Sequence, residues 1–292
     1  MSTRLILSLF LIPLISCNHN DHVVKGEMKF GLTEFSDYYT EPTAEKMYSN
    51  SVSDTFRIFK SFPKDYDKDS TKKYPLIIIL DGNAYIESVV AEMKFNAFIG
   101  MIPNAILIGV GYKDFPTMDS LRIRDYTFPI GLPEYEMTVS GGADKFKKFI
   151  DEELLLKLNQ QYRVDLDKSV LCGHSLGGYF SLYYLFKSIE EDRYSIKNIV
   201  SASPSLHYNH RYIFDMEKNL KATEAPLRVY ISMGSEEMTD DESKGILDKF
   251  ESQILKKKYI GLKLRKAEYT NFGHMDAAIP GFIKGLAYVF EN

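Results

Sequence analysis

Ser169-Val170-Leu171-Cys172-Gly173-His174-Ser175-Leu176-Gly177-Gly178-Tyr179 is the stretch from which both the fold and the chemistry follow. A short apolar run is followed by G-x-S-x-G, and then by Leu182, Leu185, Phe186 and Ile189 at helical spacing. Strand, sharp turn and helix in that order make a nucleophile elbow. The turn strains Ser175, and Gly173 and Gly177 lack side chains so that strand and helix can approach. It also sets Ser175 at a helix N-terminus, where the unbonded N–H of Leu176 can stabilise an oxyanion. G-x-S-x-G by itself is a weak signal, equally compatible with a Gly-rich turn and a solvated serine. Its place between a strand pattern and a helix pattern gives it weight.

On either side of the elbow, β-rich runs recur at Phe56 to Phe59, Leu76 to Leu80, Ala105 to Val110, Ile199 to Ala202, Leu227 to Ser232 and Leu262 to Ala267. The stretches between them have helical spacing. After Gly141-Gly142, Phe146, Phe149, Ile150 and Leu154 form an apolar stripe, with Lys147, Lys148, Asp151 and Glu152 on the other face. Wholly apolar short strands alternating with amphipathic helices predict an α/β fold, a mostly parallel central sheet with helices on both faces. Lys113 to Ser140 fits neither period, contains Pro116, Pro129 and Pro133, and reads as a short lid-like insertion.

A serine nucleophile needs a base, and behind an elbow the chain order is serine, acid, histidine. His19 and His22 lie near the N-terminus, His174 belongs to the elbow and points the wrong way, and His207 and His210 follow the serine too soon. That leaves His274, in the loop after the last strand-like run. The acid belongs to the loop after Leu227 to Ser232, where Glu236, Glu237, Asp240 and Asp241 compete. Most of these complement a helix start, and one fixes the histidine tautomer. A second oxyanion donor is expected from Asp81-Gly82-Asn83-Ala84, where Gly82 lets a backbone amide turn towards Ser175.

The chain has 292 residues, 45% of them apolar, enough for one full core. With a net charge of −4 and interspersed acids and bases it lacks the basic face of a nucleic-acid binder. The cluster Lys256-Lys257-Lys258 reads as the solvated end of a helix. Cys17 and Cys172 are too few for a disulfide scaffold or a Cys-rich metal site. Arg4, the apolar run Leu5 to Ile15 and the polar stretch after Cys17 read as an export signal, too short to span a bilayer. Leu14-Ile15-Ser16-Cys17 resembles the bacterial lipobox, which implies cleavage before Cys17 and lipidation of it. The expected organisation is a signal peptide over 1–16, a lipidated cysteine and polar tether over 17–50, and a catalytic domain over 51–292. Such a chain is an exported bacterial lipoprotein, facing the periplasm or held in the outer membrane through its lipid.

Tyr74 to Ala84, Arg122 to Thr127, Ser140 to Phe146, Gly173 to Gly178 and Ser201-Ala202-Ser203-Pro204-Ser205 together resemble the esterase-D-type esterases of the α/β-hydrolase superfamily. That family includes siderophore and feruloyl esterases, S-formylglutathione hydrolases and mycolyltransferases, and the likeness runs from about residue 50 to 290. The resemblance implies Ser175 as nucleophile, His274 as base, Leu176 and Asn83 as oxyanion donors, and Glu237 in preference to Glu236 as the acid. Some siderophore esterases of this family work with a serine–histidine pair alone. Many relatives carry tryptophan after Ser-Pro-Ser-Leu/Ile, where this chain has His207-Tyr208 and no tryptophan at all. His207 reads as a polar pocket wall and not as a metal ligand, lacking an Asp, Glu or Cys partner at ligand spacing. Asp81, Arg122, Arg124 and His207 are the candidate substrate contacts, although the two arginines could equally pin Asp125.

The expected activity is hydrolysis of a small carboxylic ester through an acyl-enzyme, with no cofactor, metal or nucleic acid. Acyl transfer by the same serine is the enzymatic alternative, and a non-catalytic lipoprotein binding module on a hydrolase scaffold is the other.

Overall fold

The computed structural model describes residues 38–291 apart from 138, 241, 242 and 258. The signal, tether and Cys17 expectations fall largely outside these residues. Eight strands form one sheet in the order β1-β2-β4-β3-β5-β6-β7-β8. They are β1 (Thr43–Ser49), β2 (Asp54–Ser61), β3 (Tyr74–Leu80), β4 (Ile106–Gly111), β5 (Val164–His174), β6 (Asn198–Ala202), β7 (Leu227–Gly234) and β8 (Leu262–Tyr269). β1 pairs antiparallel with β2 and β2 antiparallel with β4, while all other pairings are parallel. Every residue of β3 and β4 is buried, as continuous apolar runs in a sheet covered on both faces must be.

The pleat divides the core. Ile77, Ile79, Val170, Cys172, Val200 and Tyr230 pack under helices α1 (Gly82–Phe98) and α8 (Ala278–Val289). Their chain neighbours Ile78, Leu80, Leu171, Ile199 and Ile231 face the opposite layer, which includes α2 (Phe115–Tyr126), α3 (Ala143–Lys148), α5 (Leu176–Glu191), α6 (Tyr208–Asn219) and α7 (Ile246–Lys256). Between α3 and α5 lie a π-helical turn at Phe149–Leu154 and α4 (Leu155–Gln161). Among the described residues no helix is long and apolar enough to cross a membrane.

Cys172 is wholly buried in β5, and that burial pushes its thiol well above the ordinary range. Alkylating reagent is therefore expected to leave Cys172 unmodified in the native protein and to label it on unfolding. Rapid stoichiometric labelling under native conditions would overturn its placement.

Several sequence expectations are corrected. Thr43–Ser49, assigned to the tether, is strand β1, and Tyr39 before it is fully buried with its hydroxyl accepting the Ala105 N–H at 3.0 Å. The body thus begins before residue 51. β1 escapes detection because it is an edge strand, mostly polar and exposed. Phe115–Tyr126, read as aperiodic lid, is helix α2, capped by Asp114 accepting from the Thr117 N–H at 2.9 Å, with Pro116 in its first turn. The lid-like part is confined to the loop after α2, from which Tyr135 and Met137 reach the main cavity.

Lys147 and Asp151, placed on the solvent face, are buried as an ion pair at 2.8 Å, with Glu191 of α5 also bonded to the ammonium at 2.9 Å. α5 covers the helix side that composition alone marks as wet. Lys257 is not a solvated helix end either, since its ammonium donates to the Lys218 and Leu220 carbonyls, both at 2.7 Å, at the end of α6.

Candidate active site

Parallel strands deliver their following loops to one edge of the sheet, where α/β proteins bind ligands. Ser175 follows β5, Ser203 follows β6, Glu237 follows β7 and His274 follows β8. Ser175, Leu176, Ser203, Ser205, Glu237 and His274 all line one cavity of about 1020 Å³, together with Tyr135, Met137, His207, Tyr208 and Met233.

The elbow has the geometry its sequence requires. Ser175 sits at φ 59°, ψ −122°, immediately before α5. A Cβ on Gly173 would lie 2.0 Å from the Gly177 carbonyl oxygen, so this glycine allows strand and helix to meet. Gly177 is less constrained than expected: a Cβ there would stand 3.2 Å from an Asp81 carboxylate oxygen and 3.5 Å from Leu80. Backbone bonds hold the turn: Ser175 N–H donates to Ala202 at 3.1 Å, and the Ser175 carbonyl accepts from Tyr179 at 2.9 Å and Ser205 at 3.1 Å. The Ser205 hydroxyl lies 3.5 Å from the Ser175 hydroxyl.

Glu237, one of the competing acids, is joined to the histidine, its Oε2 lying 2.6 Å from His274 Nδ1. Its Oε1 accepts from the Ser203 hydroxyl and the Gly234 N–H, both at 2.7 Å. Burial opposes the charge on Glu237, but hydrogen bonds from His274, Ser203 and Gly234 outweigh it and hold the carboxyl below its ordinary range. Glu236 is exposed, Asp240 accepts from the Ser243 N–H at 2.8 Å, and Asp241 lies outside the described residues. The His274 loop passes tightly over the end of β7, where a Cβ on Gly234 would fall 2.1 Å from the Phe272 carbonyl oxygen.

The oxyanion candidates differ in placement. Leu176 is the first residue of α5 and lines the cavity, its N–H at the helix start. Asn83 lies in the first turn of α1, its amide side chain clamped to Tyr112 by bonds of 3.1 and 2.7 Å, and it is not among the cavity-lining residues. The N-terminus of α1 nevertheless abuts the elbow, through Asp81 against Gly177 and Tyr85 against His174.

The substrate contacts expected of Asp81, Arg122 and Arg124 are corrected. Arg122 grips buried Asp81 through two bonds, at 3.0 and 2.8 Å, and reaches the His174 carbonyl at 3.2 Å. Arg124 binds buried Asp125 at 2.8 and 2.9 Å and Asp54 at 2.8 Å. Both guanidiniums are spent on carboxylates, Arg122 tying α2 to Asp81 after β3 and to the end of β5, and Arg124 tying it to β2 through Asp54. His207 does line the cavity, beside Tyr208, whose hydroxyl donates to Pro129 at 2.8 Å and whose ring packs edge-on to Tyr179. The aromatic wall is therefore tyrosine in place of tryptophan.

Ser203, His174 and Tyr85 were not picked out by sequence reasoning as partners of the acid and base, because their contacts join segments remote in sequence. A serine at the end of β6 carries no signal that its hydroxyl meets a carboxylate from β7. Among the described residues no group of three or more His, Cys, Asp or Glu side chains is placed to hold a metal ion.

Comparison with known proteins finds esterases. The chain is 26% identical over 262 residues to ferri-bacillibactin esterase BesA of Bacillus subtilis, covering 82% of this chain and 87% of that protein. It is 30% identical over 179 residues to the siderophore enterobactin esterase of Emericella nidulans, covering 54% and 56% respectively. The crystal structure of the BES protein from Bacillus cereus superposes with a TM-score of 0.72 at 25% identity, covering 87% of this chain and 96% of that one. Residues 49–278 match the family model described as "Putative esterase", and the chain belongs to that esterase family, with an α/β-hydrolase fold.

Proposed function

We propose that this carboxylic-ester hydrolase cleaves siderophore-type esters through a Ser175 acyl-enzyme, with His274 as base and Glu237 as its orienting acid. The observation that carries the reading is the Glu237–His274 bond at the wall of the cavity that Ser175 lines. With Nδ1–H donating to Glu237, the other ring nitrogen, Nε2, takes the Ser175 proton as Oγ attacks the ester carbonyl. The tetrahedral oxyanion meets the Leu176 N–H, with Asn83 N–H at the start of α1 as the second donor. His274 then gives its proton to the leaving alkoxide, and water repeats the sequence to release the acid and restore Ser175.

The substrate class is supported by the esterases named above and by a cavity of about 1020 Å³, at the upper end of the range for small-molecule sites. Export on a lipid at Cys17 belongs to the same proposal and rests on residues 4–22 of the sequence.

The test is a panel of catecholate trilactone siderophores with and without iron, feruloyl esters and aryl acetates. Siderophore lactones should exceed the others in kcat/KM by at least roughly tenfold, about 1.4 kcal/mol of differential transition-state binding. Preference for feruloyl esters would reassign the substrate, and absence of any hydrolysis would overturn the reading.

A further inference from the structure

We propose that His174, the residue before the nucleophile, is a positioning residue for the general base, and that Tyr85 fixes the tautomer in which it does so. This rests on the serine-esterase reading above and concerns how His274 is held. Glu237 grips the His274 ring from one side. Its backbone lies in an exposed loop, with Asn271, Met275 and Asp276 open to solvent. What joins that backbone to the elbow is the His174 ring, whose Nε2 lies 2.8 Å from the His274 carbonyl oxygen.

A carbonyl only accepts, so Nε2 must carry hydrogen. His174 is buried, and in a neutral ring its Nδ1 is then an acceptor. The Tyr85 hydroxyl, 2.8 Å away, supplies the donor. The chain of donors runs Tyr85 O–H to His174 Nδ1, then His174 Nε2–H to the His274 carbonyl. It ties α1, the elbow and the base loop into one unit, and the two imidazole rings lie 4.6 Å apart, centroid to centroid.

The charge environment keeps the ring neutral. Burial first, then the neighbouring His274, lower the His174 pKa to about 4, with Arg122 adding to the effect and the His274 carbonyl and Glu237 opposing it. Arg122 is itself paired with Asp81, and Tyr85 bonds the ring directly. A neutral donor can stand beside His274 while that ring becomes imidazolium in each half-reaction, whereas a second cation could not.

The experiment compares His174→Leu, His174→Gln, Tyr85→Phe and the Leu/Phe double variant with the wild-type protein and Ser175→Ala. His174→Leu removes the donor and should lower kcat roughly 10- to 100-fold with KM changed less than about threefold, the signature of a displaced base. His174→Gln keeps an N–H donor at the same reach and should recover most of kcat. Tyr85→Phe should lower kcat to a lesser degree and shift the His174 ring from a single Nε2–H tautomer, as read by imidazole nitrogen NMR. In the Leu background Tyr85→Phe should cost nothing more.

A folded His174→Leu protein with kcat within twofold of wild type overturns the proposal, as does equal loss in the Leu and Gln variants. Should the Leu variant not fold, Tyr85→Phe decides: unchanged kcat and an unchanged tautomer overturn it. If the wild-type protein shows no Ser175-dependent hydrolysis, the parent reading fails instead.

Discussion

Ser175→Ala is expected to abolish ester turnover, with a loss on the order of 10⁶ in kcat, in a protein that keeps its melting temperature. The two halves of that expectation have separate causes. The elbow is held by the Ser175 N–H and carbonyl, bonded to Ala202, Tyr179 and Ser205, and alanine retains all of these. Its backbone strain is the same for alanine as for serine. Only the hydroxyl goes, and its nearest hydroxyl neighbour, on Ser205, is 3.5 Å away, too weak a contact to matter to stability. The chemistry has no substitute for that oxygen, because acyl transfer to the enzyme requires it. Measuring kcat/KM on an aryl ester, thermal melting and fluorophosphonate labelling separates the two effects. A folded variant with more than a small fraction of wild-type turnover would mean that Ser175 is not the nucleophile.

How much of this was legible in the sequence follows from where the information lies. Strands β3, β4, β6 and β7 and the second half of β5 are buried almost throughout, so their apolar runs stand out in any window. β1 is polar because it is an edge, and an exposed edge strand has the same composition as a tether. Likewise α2 has buried Met118, Asp125 and Tyr126 but no clean stripe, because Arg122 and Arg124 point inward to carboxylates. Lys147 and Asp151 fail the pattern for the same reason: a paired charge can be buried, and pairing is invisible in one dimension.

The site divides the same way. Ser175 and Leu176 are legible because the elbow is contiguous, a strand, a turn and a helix start within a few residues. His274 was reachable by elimination on chain order. The choice among four carboxylates was not, since it depends on which side chain the 3₁₀ turn Ser235–Glu237 points at a loop from the next strand. Ser203, with its hydroxyl on Glu237, and His174, with its ring on the His274 carbonyl, are contacts across the sheet edge that no spacing encodes.

Glu237→Gln is expected to reduce kcat by up to about 10⁴, the loss seen when a triad acid becomes an amide. The structure explains why so small a change should be so costly. Oε1 of Glu237 already accepts from Gly234 N–H and the Ser203 hydroxyl, while Oε2 accepts from His274 Nδ1–H. Glutamine keeps one accepting oxygen. Placing its NH₂ on the Gly234 side would set two donors against each other, so the oxygen stays there and the NH₂ turns to His274. That ring must then accept at Nδ1 and carry its proton on Nε2, the nitrogen that has to receive the proton of Ser175. Glu236→Gln and Asp240→Asn should stay within a few-fold of wild type, because the first is exposed and the second bonds the Ser243 N–H. If Glu237→Gln also keeps near-full activity, Ser175 and His274 work as a pair without an acid. A large loss at Glu236 or Asp240 instead would move the role there, and Asp241→Asn completes the comparison across the loop.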